Sequence, residues 1–181
     1  MSSMREVALP TIQKLTAEEA CIHAAALGAV LADCVAGGAS VNFMSPFSLA
    51  EGEAFYRKVA GSVASRETVL LAAFLDDRIV GTVQVHFVWM PNQPHRAEIA
   101  KMLVHRAARR RGIGAALLRA AEAEIVKAER WLAVLDTATG GDAERLYRKL
   151  GWQECGVIPD YALWPEGGLC DATVFYKRLG S

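Results

Sequence analysis

The segment Arg96-Ala-Glu-Ile-Ala-Lys-Met-Leu-Val-His-Arg-Ala-Ala-Arg-Arg-Arg-Gly-Ile-Gly-Ala-Ala-Leu-Leu-Arg-Ala-Ala121 decides how the rest of the chain is read. Its first part, Arg96 to Val104, reads as a strand. Its last part opens near Gly112 as a helix with Ile113, Leu117, Ala121 and Ile125 four apart on one buried stripe. Between them stands Arg109-Arg110-Arg111-Gly112-Ile113-Gly114. From Ile99 to Ala121 there is no Asp or Glu, while Lys101, Arg106, Arg109, Arg110, Arg111 and Arg119 are all present. The first turn of a helix leaves its N–H groups unpaired, and the aligned peptide dipoles add about half a positive charge there. Glycines at 112 and 114 remove Cβ atoms from the approach, and arginine forks suit phosphate. The segment therefore reads as a cradle for a pyrophosphate.

The whole chain makes this local concentration informative. It has 181 residues with 20 Lys+Arg against 20 Asp+Glu, 52% hydrophobic and 22% charged residues. That is one compact domain over 1–181 with a full-sized core, not a disordered chain. Net zero charge argues against nucleic acid or anionic membrane as partners, and no stretch approaches the ~20 apolar residues needed to span a bilayer. Cys21, Cys34, Cys155 and Cys170 show no paired spacing, and His23, His86, His95 and His105 show no metal spacing. The expectation is reduced thiols, no metal and a cytoplasmic protein. The start, Met1 to Glu6, lacks the apolar core of a signal peptide.

Working outward, Val7 to Lys14 reads as a short strand. Thr16 caps a helix over Ala17–Ala36 that Gly37-Gly38 stop. A second helix spans Ser48 to Ala64, with Phe55 and Val59 on its buried side. Val69 to Leu75, a turn at Asp76-Asp77 and Ile79 to Trp89 form a hairpin. After the central segment come a buried strand over Trp131–Leu135 and a helix capped by Asp142 and ended by Gly151. Strands over Trp152–Val157 and Thr173–Arg178 complete the chain. The expected class is mixed α/β, without repeat or linker.

Two other phosphate loops fail on the residues. No Gly-x-x-x-x-Gly-Lys-Ser/Thr string exists. A dinucleotide fingerprint would need Gly or Ala where Leu117 stands, and would turn at once after the strand, whereas His105 to Arg111 intervene. A dinucleotide-dependent oxidoreductase is thereby a remote alternative.

Strand, then Arg/Gln-x-x-Gly-x-Gly/Ala, then helix resembles the acyl-CoA loop of the GCN5-related N-acetyltransferase (GNAT) family. Tyr147-Arg148-Lys149-Leu150-Gly151-Trp152 is similar to its second motif, Tyr-x-x-x-Gly-Phe. The resemblance implies a mixed, mostly antiparallel sheet with helices on both faces. It also implies acetyl-CoA as cosubstrate, attack by an amine directly on the thioester, and a small-molecule amine partner, with a homodimer possible. Shorter strings, Gly37-Gly38-Ala39-Ser40-Val41, Arg96-Ala97-Glu98 with Lys101, Leu135-Asp136-Thr137 and Pro159 with Tyr161-Ala162, are similar to the tabtoxin-resistance branch, which acetylates a small amino-acid-like toxin. A non-catalytic CoA-sensing module is the alternative within the fold.

By that resemblance Glu98 is the base for the amine proton, in a strand whose apolar neighbours would raise its pKa. Its structural alternative is a pair with Arg96. Asp136 would bind the ammonium or share the base role. The N–H groups of Leu103 and Val104 would bind the pantetheine arm and polarise the carbonyl. Tyr147 would return a proton to the thiolate, while Arg109, Arg110, Arg111, Gly112, Ile113 and Gly114 hold the pyrophosphate. Gly140 stands where the family often has Asn, with main-chain groups of Gly140 or Gly141 as substitutes. Trp164, Tyr161 and the Gly37–Phe43 loop would line the acceptor site.

Overall fold

A computed structural model describes residues 9–180. Seven strands form one sheet: β1 (Thr11–Leu15), β2 (Thr68–Leu75), β3 (Arg78–Phe87), β4 (Arg96–Val104), β5 (Leu132–Ala138), β6 (Gln153–Leu163) and β7 (Leu169–Arg178). Their spatial order is β1-β2-β3-β4-β5-β7-β6. Every neighbouring pair is antiparallel except β4 and β5. The helices are α1 (Ala17–Ile22), α2 (Ala24–Ala36), α3 (Leu49–Ala64), α4 (Ile113–Lys127) and α5 (Asp142–Lys149).

Alternation along the strands sends successive side chains to opposite faces, and each face has its own core. On one, Val69, Leu71, Val83, Val85 and Ile99 meet Ile113, Leu117, Leu118 and Ile125 of α4, with Tyr147 and Trp152 beside them. On the other, Leu70, Ala72 and Leu103 meet Leu27, Val30 and Leu31 of α2 and Tyr56 of α3. Burying each such large side chain stabilises the fold by about 1.5–3 kcal/mol. The helices on both faces of a mostly antiparallel sheet are the expected fold class.

Capping boxes start α1 and α3: Thr16 with Glu19, and Ser48 with Glu51. The single helix expected over Ala17–Ala36 is interrupted at His23 (φ −90°, ψ 5°), whose ring packs edge-on against Phe74 at 5.6 Å. On α3 the fully buried aromatic is Tyr56, and Phe55 lies only half-buried beside it. The helices α2 and α3 cross where Gly28 and Gly52 meet. A Cβ on Gly28 would lie 2.5 Å from Glu53 N, so the two backbones touch.

Several strand limits differ from the sequence reading. The first strand begins at Thr11, Leu9 and Pro10 lie before it, and Val7 and Ala8 lie outside the described residues. β3 ends at Phe87, leaving Trp89 exposed in the following loop. β5 runs on through Asp136 to Ala138, and β6 and β7 extend to Leu163 and Leu169. Bulges between Glu154 and Gly156 and between Ile158 and Ala162 hide the length of β6 from any period-2 pattern. Pro159 is tolerated because β6 is the sheet edge.

Candidate functional site

The parallel pair β4–β5 is short. Only Arg96, Ala97 and Glu98 pair, with Leu132, Ala133 and Val134. Beyond them the strands part, and the gap between Ile99–Val104 and Leu135–Ala138 forms a cleft through the middle of the sheet. A bulge in β4 widens it. Lys101 and Met102 together oppose Val83, and Lys101 takes φ +50°.

At the outer end of the cleft a 3-10 turn (Arg106–Ala108) leads to the Arg109–Gly114 loop. Asp33 anchors this turn through the Arg106 N–H (2.8 Å) and Arg106 Nε (2.9 Å). Arg110 (φ +65°) and Gly112 (φ +75°, ψ 3°) turn the chain into α4. The first helical bond there runs from Ala116 N–H to Gly112 O (3.0 Å). No side chain caps α4. The N–H groups from Arg110 through Ala115 have no partner among the described residues. A Cβ at 112 would meet nothing within 4 Å. Six free donors on an open, cationic turn fit a pyrophosphate.

Two expected cradle residues also make contacts within the protein. Gly114 sits close to α5, since a Cβ there would lie 3.0 Å from Leu146 Cδ2. Arg109 turns its Nε back to Val104 O (3.2 Å). Arg110 and Arg111 close no ion pair among the described residues. The Asp142 carboxyl is held below its ordinary range, first by Arg145 and then by Arg110 and Arg109. The start of α5 therefore faces the arginine loop across the cleft.

The two amides expected to face the acyl group divide. His105 N–H donates to Val80 O on β3 at 2.9 Å. Strand alternation turns the Leu103 N–H the same way, towards its partner Thr82, and the Val104 N–H outward into the cleft. Only Val104 offers a donor there. Gly140 also departs from expectation, because its N–H is taken by the buried Glu144 carboxylate. Burial would raise the Glu144 pKa, but the Gly140 N–H, Arg148 and Thr173 outweigh it and hold the carboxyl low. Gly141 is the N-cap of α5, and Asp142 is its first residue rather than its cap.

Glu98 and Asp136 lie on the α1–α3 face of the cleft, while Tyr147 belongs to the core on the α4 side. The Glu98 side chain is 49% exposed and its Oε1 binds Arg96 Nη1 at 2.7 Å. The expected desolvation of Glu98 is absent, and the structural pairing with Arg96 is present. Asp136 has no ion-pair partner among the described residues. Its pKa is raised by burial, with Lys101 opposing and Glu98 adding to the rise. Tyr147 of α5 is 5% exposed, and burial, then Asp136, pushes its phenol above the ordinary value.

A small cavity beside Asp136 is lined by Ser40, Asn42, Tyr161, Cys170 and Asp171, among others. The loop after α2 is fastened over it by Ser40 Oγ to Leu163 O (2.9 Å) and Ser45 N–H to Pro165 O (2.8 Å). Tyr161 and the 37–43 loop thus share a cavity with Asp136, whereas Trp164 does not line it. His95 stacks on Trp131 at 4.5 Å and His86 bonds Thr68 at 2.9 Å. Among the described residues no cluster of His, Cys, Asp and Glu could hold a metal, and no helix is long and apolar enough to cross a membrane.

Sequence reasoning missed Lys101 as a site residue. It enters the sequence reading as one of six basic residues and beside the Arg96-Ala97-Glu98 string, with no role assigned, and no local pattern announces the bulge that aims it.

A model of the acetyltransferase (GNAT) family matches residues 39–152, which include both the arginine loop and Tyr147. Among solved structures, an N-acetyltransferase from Staphylococcus aureus Mu50 superposes with a TM-score of 0.77 at 16% identity, covering 94% of this chain and 99% of that one. A ribosomal-protein-alanine N-acetyltransferase from Brucella melitensis gives 0.76 at 22% identity, covering 93% and 99%. An acetyltransferase structure from Salmonella typhimurium, which holds its cofactor acetyl-CoA, gives 0.77 at 17% identity and covers 95% of each chain. At these identities the likeness to solved structures is one of fold.

Proposed function

The chain belongs to the acetyltransferase (GNAT) family, and we propose that it moves the acetyl group of acetyl-CoA onto the primary amine of a small molecule, by direct attack and as a single catalytic unit. The observation that carries this reading is the run of unpartnered N–H groups from Arg110 to Ala115, which follows the strand β4 that parts from β5 after Glu98, with Asp136 on β5 beyond that parting. The short strings that resemble the tabtoxin-resistance branch support an amino-acid-like acceptor.

Acetyl-CoA, when bound, supplies a thioester carbonyl open to a nucleophile. An amine of pKa near 10 is about one part in a thousand neutral at pH 7, a handicap of roughly 4 kcal/mol. Asp136 takes the amine proton. Burial raises its pKa towards the value a base needs against the opposing pull of Lys101, and its carboxylate closes no ion pair among the described residues. Glu98, engaged by Arg96, shapes the field around Asp136. The Val104 N–H points at developing negative charge on the carbonyl oxygen, where one such donor is worth a few kcal/mol. Tyr147 keeps its proton across the neutral range and delivers it to the departing sulfur.

The test is release of free thiol from acetyl-CoA across a panel of small primary amines, with mass-spectrometric detection of the acetylated nitrogen. Acceptor-dependent release is expected. Stabilisation by acetyl-CoA without acetylation of any amine would refute transfer and leave a CoA-sensing module.

A further inference from the structure

We infer that Lys101 reads an anionic group on the acceptor, so that the substrate carries a carboxylate beside its reactive amine. The inference rests on the proposed transfer reaction and deepens it. The β4 bulge turns Met102 to the α4 side, where it packs against that core. Lys101 goes to the α1–α3 side, and its Nζ stands 5.9 Å from the centre of the Phe43 ring, in the loop that also covers the Asp136 cavity.

Three other lysines of the chain each close on a carboxylate: Lys14 on Glu124 at 2.7 Å, Lys127 on Glu124 at 2.6 Å and Lys177 on Glu122 at 2.8 Å. Lys101 is half-buried and joins no ion pair among the described residues. Burial lowers its pKa, with Asp136 pulling the other way. A lysine placed for stability alone would be expected to close on Asp136, because a half-buried charge without a direct partner is unfavourable. Instead, cation and anion are held apart on one face of the cleft, an arrangement complementary to a zwitterion. With the amine at Asp136, a carboxylate on the same molecule reaches Lys101, where Phe43 limits competing water.

The test compares amino acids with their decarboxylated amines and their methyl esters, in the wild type, Lys101→Met and Lys101→Asn. Asn tolerates the left-handed backbone at this position and serves if the Met variant folds poorly. Stabilisation by acetyl-CoA checks that each variant is folded. The wild type is expected to prefer the free acid over both partners by about tenfold or more in kcat/KM, an increment typical of a partly buried charge pair. In both variants that preference should shrink to within about threefold. A wild type that favours the amines or the esters, or that acetylates no member of any set while still binding acetyl-CoA, overturns the assignment. So does a folded variant that keeps the full preference. Absence of any stabilisation by acetyl-CoA in the wild type has a different signature and removes the transferase reading as well.

Discussion

Placing a negative charge at residue 112 is the sharpest perturbation of the cradle. Gly112 has φ +75°, no atom would lie within 4 Å of an added Cβ, and it is exposed at the start of α4. Gly112→Asp and Gly112→Asn share their shape, and both residue types tolerate left-handed backbone, so strain cancels between them. What remains is one carboxylate charge. At about 5 Å from a diphosphate bearing about two negative charges, repulsion is about 2 kcal/mol at bulk screening and about 7 kcal/mol at an effective dielectric of about 20. Exposure selects the lower end, about 2–3 kcal/mol, so the Asp variant should bind acetyl-CoA roughly 30- to 150-fold more weakly than the Asn variant. Calorimetric titration at low salt measures this, and the ratio should shrink as salt rises. Equal affinity of two folded variants at low salt would refute the placement of the diphosphate.

Other expectations concern the reacting end of the cleft and the frame that holds it. Asp136→Asn should reduce kcat about 100-fold, within the range of general-base losses, with acetyl-CoA affinity retained; a loss under threefold would return the base role to Glu98. Because Lys101 holds the Asp136 pKa down against burial, Lys101→Met should move the acidic limb of the pH–rate profile upward. A downward move would contradict the coupling. Tyr147→Phe should slow turnover about tenfold rather than abolish it, since a thiolate of pKa near 8.5 needs only modest help. Tyr56 and Tyr147 both have phenols raised above 10.0 in the fold. They favour the folded state below pH 10, and that contribution is lost as pH rises beyond it. The urea midpoint should therefore fall from pH 8 to pH 11, and fall less in Tyr147→Phe; an equal fall in that variant would contradict the Tyr147 shift. Gly28→Ala should cost about 3 kcal/mol by forcing α2 from α3, and an unchanged urea midpoint would contradict the backbone contact.

What could be read from residues alone were the features in which local chemistry repeats or concentrates. Ile113, Leu117, Ala121 and Ile125 announce α4, and the acid-free run before it, with Gly112 at its hinge, announces an anion site. The Tyr147–Trp152 string locates the second motif, and β4 falls on the expected residues. Tertiary structure decided what those parts do to one another. Periodicity reports which face a side chain takes, but not where two strands stop pairing or which strand carries an extra residue. The β4–β5 parting after Glu98 and the bulge that aims Lys101 both depend on how strands distant in sequence meet through the folded backbone. The candidate cradle is legible because its free donors are neighbours in the chain. The acceptor side is assembled from β4, β5, α5 and two loops, and it exists only once long-range pairing has brought their charges within a few ångströms.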